Sequence, residues 1–339
     1  MSTLIVEVSR IDAVLPHPNA DALELAQIKG WQCVVPKGRY TGGDRVVYIP
    51  IDSLLPVELS DRLGVTKYLS NGRVRCARLR GEPSFGVVMD LEDPSWTDGA
   101  DVRERYGITK YVPPIRPTAG DAEPEDPLFV IYTDVENLRN FPGILTDGEP
   151  VVATEKVHGT NCRVGVIEGE WMAGSMGVRR RRPADEQMPS STYWFPATEP
   201  GVRALVEDLA RTSRQVILFG EVYGSKVQNL SYGSIGKLGF VAFDLLVDGK
   251  YLPADEFRDR CRAFGVSMTP ELYRGPFSID QIKAVSDGLT TFAGADHIRE
   301  GVVVRPLNER TDPKVGRVIL KYIGDEYLLS KGISDTDDV

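Results

Sequence analysis

The stretch TEKVHGTNC, residues 154–162, places a lysine, a histidine, a glycine and an asparagine between two strand-like runs. Lys156 is the residue in this stretch that can act as a nucleophile. A lysine amine attacks phosphorus only when it is neutral, so burial or a neighbouring positive charge must lower its pKa. Taken alone, K-x-H-G is most often a turn with a solvated lysine. The stretch therefore needs support from other parts of the chain.

Later stretches supply groups that complement such a lysine. Each group lies within or at the end of an apolar, strand-like run. Together they offer two lysines and an arginine for a triphosphate, two carboxylates for a divalent cation, and an aromatic ring for a purine. The residues are Glu221 in ILFGEVYG, Phe243 and Asp244 in FVAFDLLV, Glu300 and Arg305 in IREGVVVRP, and Lys321 in RVILKYI.

Strands and helices are mixed over residues 128–330, without the strict alternation of a parallel sheet. This mixture favours an α+β domain. Apolar residues at helical spacing predict helices in VRALVEDLARTSR, ADEFRDRCRAFG and SIDQIKAVSDG, the last opened by a capping serine. Strands are predicted in PVVATEKV, CRVGVIEGEWMAG, QVILFGEVYG, LGFVAFDLLVDG, GVVVRP and GRVILKYI.

Residues 1–112 are β-rich. Five roughly alternating runs are separated by turn-forming stretches such as HPNAD and PKGRYTGGD, which favours a small closed β-barrel. A short helical connection is predicted in IDSLLPVELSDRLG. The stretch at 113–127, PPIRPTAGDAEPEDP, is rich in proline and acid and is typical of a linker. The expected units are therefore 1–112, the linker 113–127, and 128–339.

Composition restricts the partners and the compartment. A net charge of −9 argues against a wholly non-specific polyanion binder but allows one local basic groove. The four cysteines form no C-x-x-C pair, so neither a zinc site nor a disulfide framework is indicated. No signal peptide or membrane-spanning run is evident. We expect a cytoplasmic protein with no membrane partner.

The order of the motifs resembles that of the covalent nucleotidyltransferases, the superfamily of polynucleotide ligases and mRNA capping enzymes. K-x-H-G, GEVYG, FVAFDLL, EGVVVRP and VILKY follow one another in that order. DNA ligases and capping enzymes usually carry aspartate where EKVHGTN has histidine. The histidine is similar to that of RNA ligases that seal nicks in duplexes. The resemblance implies an α+β nucleotidyltransferase domain, an ATP-grasp-like ligase fold, over residues 128–339.

The resemblance also implies roles for individual residues. Lys156 is expected to take AMP from ATP as a phosphoramide. Phe243 is expected to stack on adenine, and Lys321 to contact the α-phosphate. Glu221 and Glu300 are the expected ligands of Mg²⁺ or Mn²⁺. The residues expected around ATP are Glu155, His158, Gly159, Asn161, Arg179, Glu221, Phe243, Glu300 and Lys321.

Two points fit the pattern less closely. Arg179 is favoured as the phosphate-binding arginine among the four in GSMGVRRRRP, but its spacing does not match cleanly. That run is equally a solvated loop or a clamp for a nucleic-acid backbone. Nick-sealing RNA ligases also often carry a second lysine where this chain has Ile323.

The N-terminal 112 residues resemble the OB-type modules attached to some tRNA-synthetase subunits, on the basis of HPNADALELAQIKGWQCVV and RVRCARLRGEPSFGVVM. OB barrels bind nucleic acid through basic grooves and exposed aromatics. An N-terminal OB module joined to a histidine-type motif looks like the fifth family of RNA ligases, which is bacterial and seals 3′-OH/5′-phosphate nicks. Candidate nucleic-acid contacts are Lys37, Arg39, Tyr40, Arg73, Arg75, Arg78 and Arg80.

The resulting hypothesis is an ATP-dependent RNA ligase. Its partners would be ATP and a nicked RNA or RNA–DNA duplex, and we expect a monomer. One alternative is a DNA ligase or a capping guanylyltransferase of the same superfamily, which nucleotide preference would distinguish. A second is a non-catalytic RNA-binding protein, which would form no covalent nucleotide.

Overall fold

The computed structural model describes residues 3–112, 120–224, 227–228 and 230–330. Residues 113–119 of the expected linker and residues 331–339 of the expected C-terminal unit lie outside these ranges. No helix within them is long and apolar enough to cross a membrane.

The N-terminal unit is built from short antiparallel strands. The two three-stranded sheets have the orders β1-β5-β9 and β2-β3-β4, and β6 with β10 and β7 with β8 form two further pairs. The elements are β1 (Glu7–Arg10), β2 (Ala13–Pro16), β3 (Leu23–Ile28), β4 (Trp31–Pro36), β5 (Arg45–Pro50), β6 (Ser53–Leu54), α1 (Val57–Arg62), β7 (Ala77–Leu79), β8 (Glu82–Ser84), β9 (Gly86–Asp90) and β10 (Thr109–Lys110).

The expected strand runs divide where the backbone reverses. The second run becomes the hairpin β3-β4, because Lys29 and Gly30 both adopt positive φ, at 53° and 78°. Two central residues of positive φ make the type of turn that joins antiparallel strands. The helical connection is confirmed as α1, preceded by the two-residue strand β6.

Two larger sheets form the C-terminal unit. The seven-stranded sheet has the order β11-β16-β15-β14-β17-β18-β19, and the five-stranded sheet has the order β12-β24-β21-β13-β20. The strands are β11 (Ala122–Glu123), β12 (Glu136–Asn137), β13 (Pro150–Glu155), β14 (Thr160–Ile167), β15 (Glu170–Ser175), β16 (Arg179–Arg180), β17 (Gln215–Gly224), β18 (Leu238–Val247), β19 (Lys250–Tyr251), β20 (Glu271–Pro276), β21 (Gly301–Pro306), β22 (Thr311–Asp312), β23 (Gly316–Arg317) and β24 (Leu320–Ile323).

Helices cover the outer faces of these sheets, and the α+β class is confirmed. Residues of α2 and α3 pack on the seven-stranded sheet in one apolar cluster, and α4 packs against the five-stranded sheet. All three helices were predicted, although the side chain of the capping serine, Ser278, makes no capping hydrogen bond. The helices are α2 (Pro200–Ala210), α3 (Ala254–Phe264), α4 (Ile279–Ser286) and α5 (Asp325–Ser330).

The two units share a core. Trp31 and Ile28 of the N-terminal unit pack in one buried cluster with Ile323, Tyr327 and Leu328 from the end of the C-terminal unit. Ile323, which stands where a second lysine is common in nick-sealing RNA ligases, is therefore an interface residue.

Candidate active site

A cavity of about 440 Å³ opens between the two large sheets. Its walls come from β13, β21 and β24 on one side and from β14, β17 and β18 on the other. Six of the expected site residues line it, and they are Glu155, Lys156, Asn161, Glu221, Phe243 and Lys321.

The alternation of β13 decides which of its side chains face the cavity. Val152, Thr154 and Lys156 line it, whereas Val151 and Ala153 are buried in the core behind the five-stranded sheet. Successive side chains of a strand point to opposite faces, so the two-residue spacing produces this division. The backbone N–H of Lys156 donates to the carbonyl of Gly301 at 2.9 Å and fixes the lysine beside β21.

Lys156 belongs to a chain of polar contacts. Its amine forms an ion pair with the Glu300 carboxylate, whose side chain is only 3% exposed. The other oxygen of Glu300 lies 3.5 Å from Nδ1 of His158, and that nitrogen lies 3.3 Å from the Tyr327 hydroxyl. The backbone N–H of His158 donates to the Tyr232 hydroxyl at 2.7 Å. The lysine is therefore held by groups from three distant segments of the sequence.

Glu221 and Asn161 face one another across β14 and β17. Residues directly opposite in an antiparallel pair share one face, so both side chains reach the cavity. Glu221 also accepts a hydrogen bond from the backbone N–H of Gly159 at 3.1 Å. Within the described ranges, the side-chain oxygen of Asn161 is buried and has no hydrogen-bond partner. It is an acceptor directed at the site.

Lys321 and Phe243 complete the expected set. Lys321 is 8% exposed and pairs with Val303 in the five-stranded sheet. Phe243 lies in the wall of the opposite sheet, with its ring edge-on to Tyr132 at a centroid distance of 4.9 Å. The cavity therefore has a cationic group on one side and an exposed aromatic face on the other.

The structure corrects the expected role of Glu155. Its side chain is 1% exposed and receives hydrogen bonds from Thr290 Oγ1 at 2.5 Å and from Thr291 N at 2.9 Å and Oγ1 at 2.8 Å. Glu155 thus fixes the loop at 290–291, and contact of its carboxylate with ATP does not fit this arrangement.

Arg305, which was expected to meet a triphosphate, lines the cavity, and its guanidinium contacts the buried Asp244 at 3.0 Å. Asp244 also contacts Arg317 at 2.5 Å and accepts a hydrogen bond from the Tyr132 hydroxyl at 2.7 Å. Burial alone would raise the pKa of Asp244, but Arg305 and Arg317 hold it below its ordinary value. This network joins β18 to β21 and β23 and closes one end of the cavity.

Arg179 is not at the cavity. It lies in β16, between the edge strand β11 and β15, where its backbone N–H donates to Glu125 at 2.7 Å and its side chain to the carbonyl of Pro124 at 3.3 Å. The distance in sequence between K-x-H-G and the arginines does not match the family pattern, and this mismatch was the sign in the sequence against Arg179.

The basic residues of the N-terminal unit divide into two groups. Arg73 does not fit the expected contact with nucleic acid, because it is 5% exposed, bonded to Asp52 at 2.8 Å and stacked 3.6 Å from the Tyr111 ring. Arg75 is half-buried, and Tyr40 donates to Asp90 at 2.9 Å. The side chains on the open surface are Lys37, Arg39, Arg78 and Arg80.

Sequence reasoning missed the residues that support Lys156. Tyr327 lies in α5, which was not predicted, and Tyr232, Thr290 and Thr291 lie in segments with no recognisable motif. A buried polar contact between distant segments leaves no local pattern in a single sequence.

Comparison with known families agrees with this geometry. A family model described as RNA ligase matches residues 149–323, which is more than half of the chain. The chain belongs to the RNA ligase family. A second model, described as an OB-fold domain, matches residues 5–91. We therefore call the two units the OB module and the ligase domain.

Solved structures of Naegleria gruberi RNA ligase are similar over nearly the whole chain. A variant of that enzyme with ATP and Mn is 26% identical, with a TM-score of 0.77, over 97% of this chain and 99% of that one. A second variant, with AMP and Mn, is 26% identical, with a TM-score of 0.78 over 96% and 98%. The enzyme with PPi is 26% identical, with a TM-score of 0.76 over 97% and 99%. No curated protein gives a significant match.

Proposed function

We propose that this RNA ligase uses ATP to seal 3′-OH/5′-phosphate nicks in RNA-containing duplexes through a lysyl-AMP intermediate on Lys156. The observation that carries the proposal is the convergence of Lys156, Glu221, Phe243 and Lys321 on one cavity. The similar Naegleria gruberi enzyme, whose structures contain ATP or AMP with Mn, supports the choice of nucleotide.

In the first step, the Lys156 ammonium, which the ion pair with Glu300 favours, loses a proton to water. The neutral Nζ then attacks the α-phosphorus of ATP and loses a second proton to water as the new bond forms. A nitrogen–phosphorus bond forms, the bond from that phosphorus to the bridging oxygen breaks, and pyrophosphate leaves. Glu300, ion-paired with the amine, orients Nζ before the attack. Lys321 supplies positive charge beside the phosphate, and such fixed charge is the main requirement of phosphoryl-type transfer.

In the second step, the 5′-phosphate at the nick attacks the lysyl-AMP and takes the AMP, which frees Lys156. In the third step, the RNA 3′-OH attacks this activated phosphate, a phosphodiester forms, and AMP leaves. Both later steps require the duplex at the mouth of the same cavity. The exposed cations of the OB module, Lys37, Arg39, Arg78 and Arg80, are suited to hold its backbone.

Glu221 and Glu300 are the residues that would hold Mg²⁺ or Mn²⁺. Among the described residues, no group of three or more His, Cys, Asp and Glu side chains is arranged for a metal. Two carboxylates nevertheless fit Mg²⁺, which is usually held by one or two carboxylates together with water and substrate phosphates. When bound, such an ion neutralises charge on the phosphates.

The test is covalent labelling. We expect wild-type protein incubated with α-labelled ATP and Mg²⁺ or Mn²⁺ to carry label through a denaturing gel, and Lys156→Ala to carry none, because the cavity amine that is ion-paired with Glu300 is then missing. The exposed Lys250 provides the control, and Lys250→Ala should label like the wild type. Label retained by Lys156→Ala would exclude this nucleophile, and label from GTP alone would exclude ATP as the substrate.

The nick is tested separately. Duplexes with RNA or DNA placed on each side of the nick, and in the template strand, should be sealed when the 3′-OH strand is RNA. If the protein forms the lysine adduct but seals none of these duplexes, the first step of the mechanism is supported and the nicked duplex is excluded as its substrate.

We also propose a cytoplasmic monomer. All four cysteines are buried and free, which suits a reducing compartment. Light scattering coupled to gel filtration tests the monomer, and a mass of twice the chain would contradict it.

A further inference from the structure

The β11 end of the seven-stranded sheet carries the four consecutive arginines that the proposed reaction does not use. They begin in β16, and the run continues into the following loop. The loop before β16 includes Met176, which lines the nucleotide cavity. The run of arginines therefore begins three residues after a residue of the cavity wall, which places it within reach of a duplex whose nick lies at Lys156.

An acidic segment, residues 121–125, covers this edge. Its strand β11 pairs antiparallel with β16 and places Glu123 opposite Arg179. The Asp121 carboxylate contacts Arg180 at 2.6 Å, and the Glu123 carboxylate contacts Arg181 at 2.9 Å. Three of the five residues in the segment are acidic, but Glu125 pairs with the buried Arg163, so Asp121 and Glu123 are the carboxylates presented to the arginines.

The arginines differ in how firmly they are held. Arg180 is only 13% exposed at its side chain and lies over the Tyr193 ring at 5.1 Å, so it is part of the structure. Arg181 and Arg182 are 63% and 49% exposed. Exposed ion pairs contribute little to stability and are screened by salt, so their carboxylates are exchangeable for another anion.

We propose that Arg181, which pairs with Glu123, and Arg182, which pairs with Asp185, form a phosphate-binding surface for the duplex, and that these two carboxylates are internal competitors that occupy it in the absence of RNA. The inference rests on the proposed function, because that function supplies the polyanion. A phosphate backbone competes well for such cations, since each contact releases condensed counterions from the nucleic acid.

The test measures the affinity for a nicked RNA duplex over a series of salt concentrations. Glu123→Gln with Asp185→Asn frees Arg181 and Arg182 and should tighten binding by about three- to tenfold at low salt, with a steeper salt dependence. Arg181→Ala with Arg182→Ala should weaken binding and reduce the salt slope by about one to two. Adding Arg181→Ala to the acid-neutralised variant should remove most of the gain.

Glu168→Gln is the matched control. It removes one carboxylate from an exposed pair with Arg214 at the β14-β15 turn, away from the four-arginine run, and should leave affinity unchanged. Acid-neutralised protein that binds no tighter than this control, with unchanged thermal unfolding, overturns the proposal. The proposal is also overturned if the arginine double variant binds with the affinity and the salt slope of the wild type. Both substituted side chains are exposed, so the fold of this variant should be intact.

Lysine labelling by ATP is measured on the same preparations and should be equal in all of them. Loss of labelling in the wild type would refute the proposed function, whereas the salt-dependence comparison would still decide the arginine surface. The two failures are therefore distinguishable.

Discussion

Gly159 is held where no side chain fits. A Cβ there would lie 2.3 Å from the carbonyl oxygen of Val222 and 2.9 Å from Cγ of Glu221, too close for either contact. Its backbone N–H donates to the Glu221 carboxylate. Gly159, the residue directly after His158, is thus the point where the chain entering β14 approaches β17, and it aligns Glu221 with Lys156.

We expect Gly159→Ala to reduce the rate of lysine labelling strongly and to lower stability by about 1–3 kcal/mol, because overpacking must push β17 away. Labelling kinetics and urea unfolding measure the two effects. Gly177→Ala is the control, since nothing lies within 4 Å of its added Cβ. Equal labelling by both variants would show that the approach at Gly159 is unimportant.

Single residues were predictable where a motif carried them. Lys156, Glu221, Phe243 and Lys321 were named from short patterns, and all four line the cavity. Glu155 and Arg179 were misplaced for physical reasons. The Glu155 carboxylate is bonded to Thr290 and Thr291 although the residue borders the cavity, and Arg179 lies in β16 beside the edge strand β11.

At the scale of elements, Asp244 connects the two sheets. The Asp244 carboxylate forms ion pairs with Arg305 from β21 and Arg317 from β23. The preceding residue, Phe243, lines the cavity. Strands were predictable from their apolar alternation, but this cross-sheet network was not, because its members come from separate elements. The run CRVGVIEGEWMAG was likewise predicted as a single strand. In the structure it is the hairpin β14-β15, because Glu168 and Gly169 adopt positive φ and reverse the chain.

We expect Asp244→Asn to lower the free energy of unfolding at pH 7 by about 3–5 kcal/mol, because it leaves buried arginines without their anion. Chemical unfolding measures this change. The control is Asp208→Asn, which removes a carboxylate from an exposed pair with Arg211 and should cost less than about 0.5 kcal/mol. Equal losses in the two variants would contradict a structural role for the network.

The same variant should change the response to acid. The pKa of Asp244 in the folded protein lies below its ordinary value of 3.8, so the unfolded chain binds the proton first as the pH falls. The stabilisation is complete above that value and is lost as the pH falls through the folded pKa. Asp244→Asn should therefore show a shallower loss of stability below about pH 4 than the wild type.

At the scale of the whole molecule, the OB module and the ligase domain are joined by specific contacts. Trp31 donates from its indole N–H to Asn140 at 3.2 Å. Arg139 lies between the rings of Trp31 and Tyr322, at 4.3 and 4.1 Å from their centroids. Tyr322 is the neighbour of Lys321 in β24. The order of the two units was predictable from their motifs, whereas this interface was not, because nothing in the sequence of either unit identifies its partner.

We expect Trp31→Ala to cost about 3–5 kcal/mol and to reduce lysine labelling as well as sealing, since the interface supports the strand of Lys321. Thermal unfolding and labelling measure this. Trp96→Ala is the control, because Trp96 is only partly buried and packs on the OB module's other apolar cluster. A Trp31→Ala protein with wild-type melting temperature that loses sealing alone would place Trp31 in RNA binding instead.

The shared core also sets an order for events during synthesis. Tyr327 and Leu328, which complete the cluster around Trp31, are made long after the OB module itself. At a rate of synthesis of about 5–20 residues per second, roughly 10–40 s pass between completion of the OB module and synthesis of these two residues. During that interval its apolar surface is uncovered, so the nascent chain is most exposed to aggregation and most dependent on chaperones before α5 emerges from the ribosome.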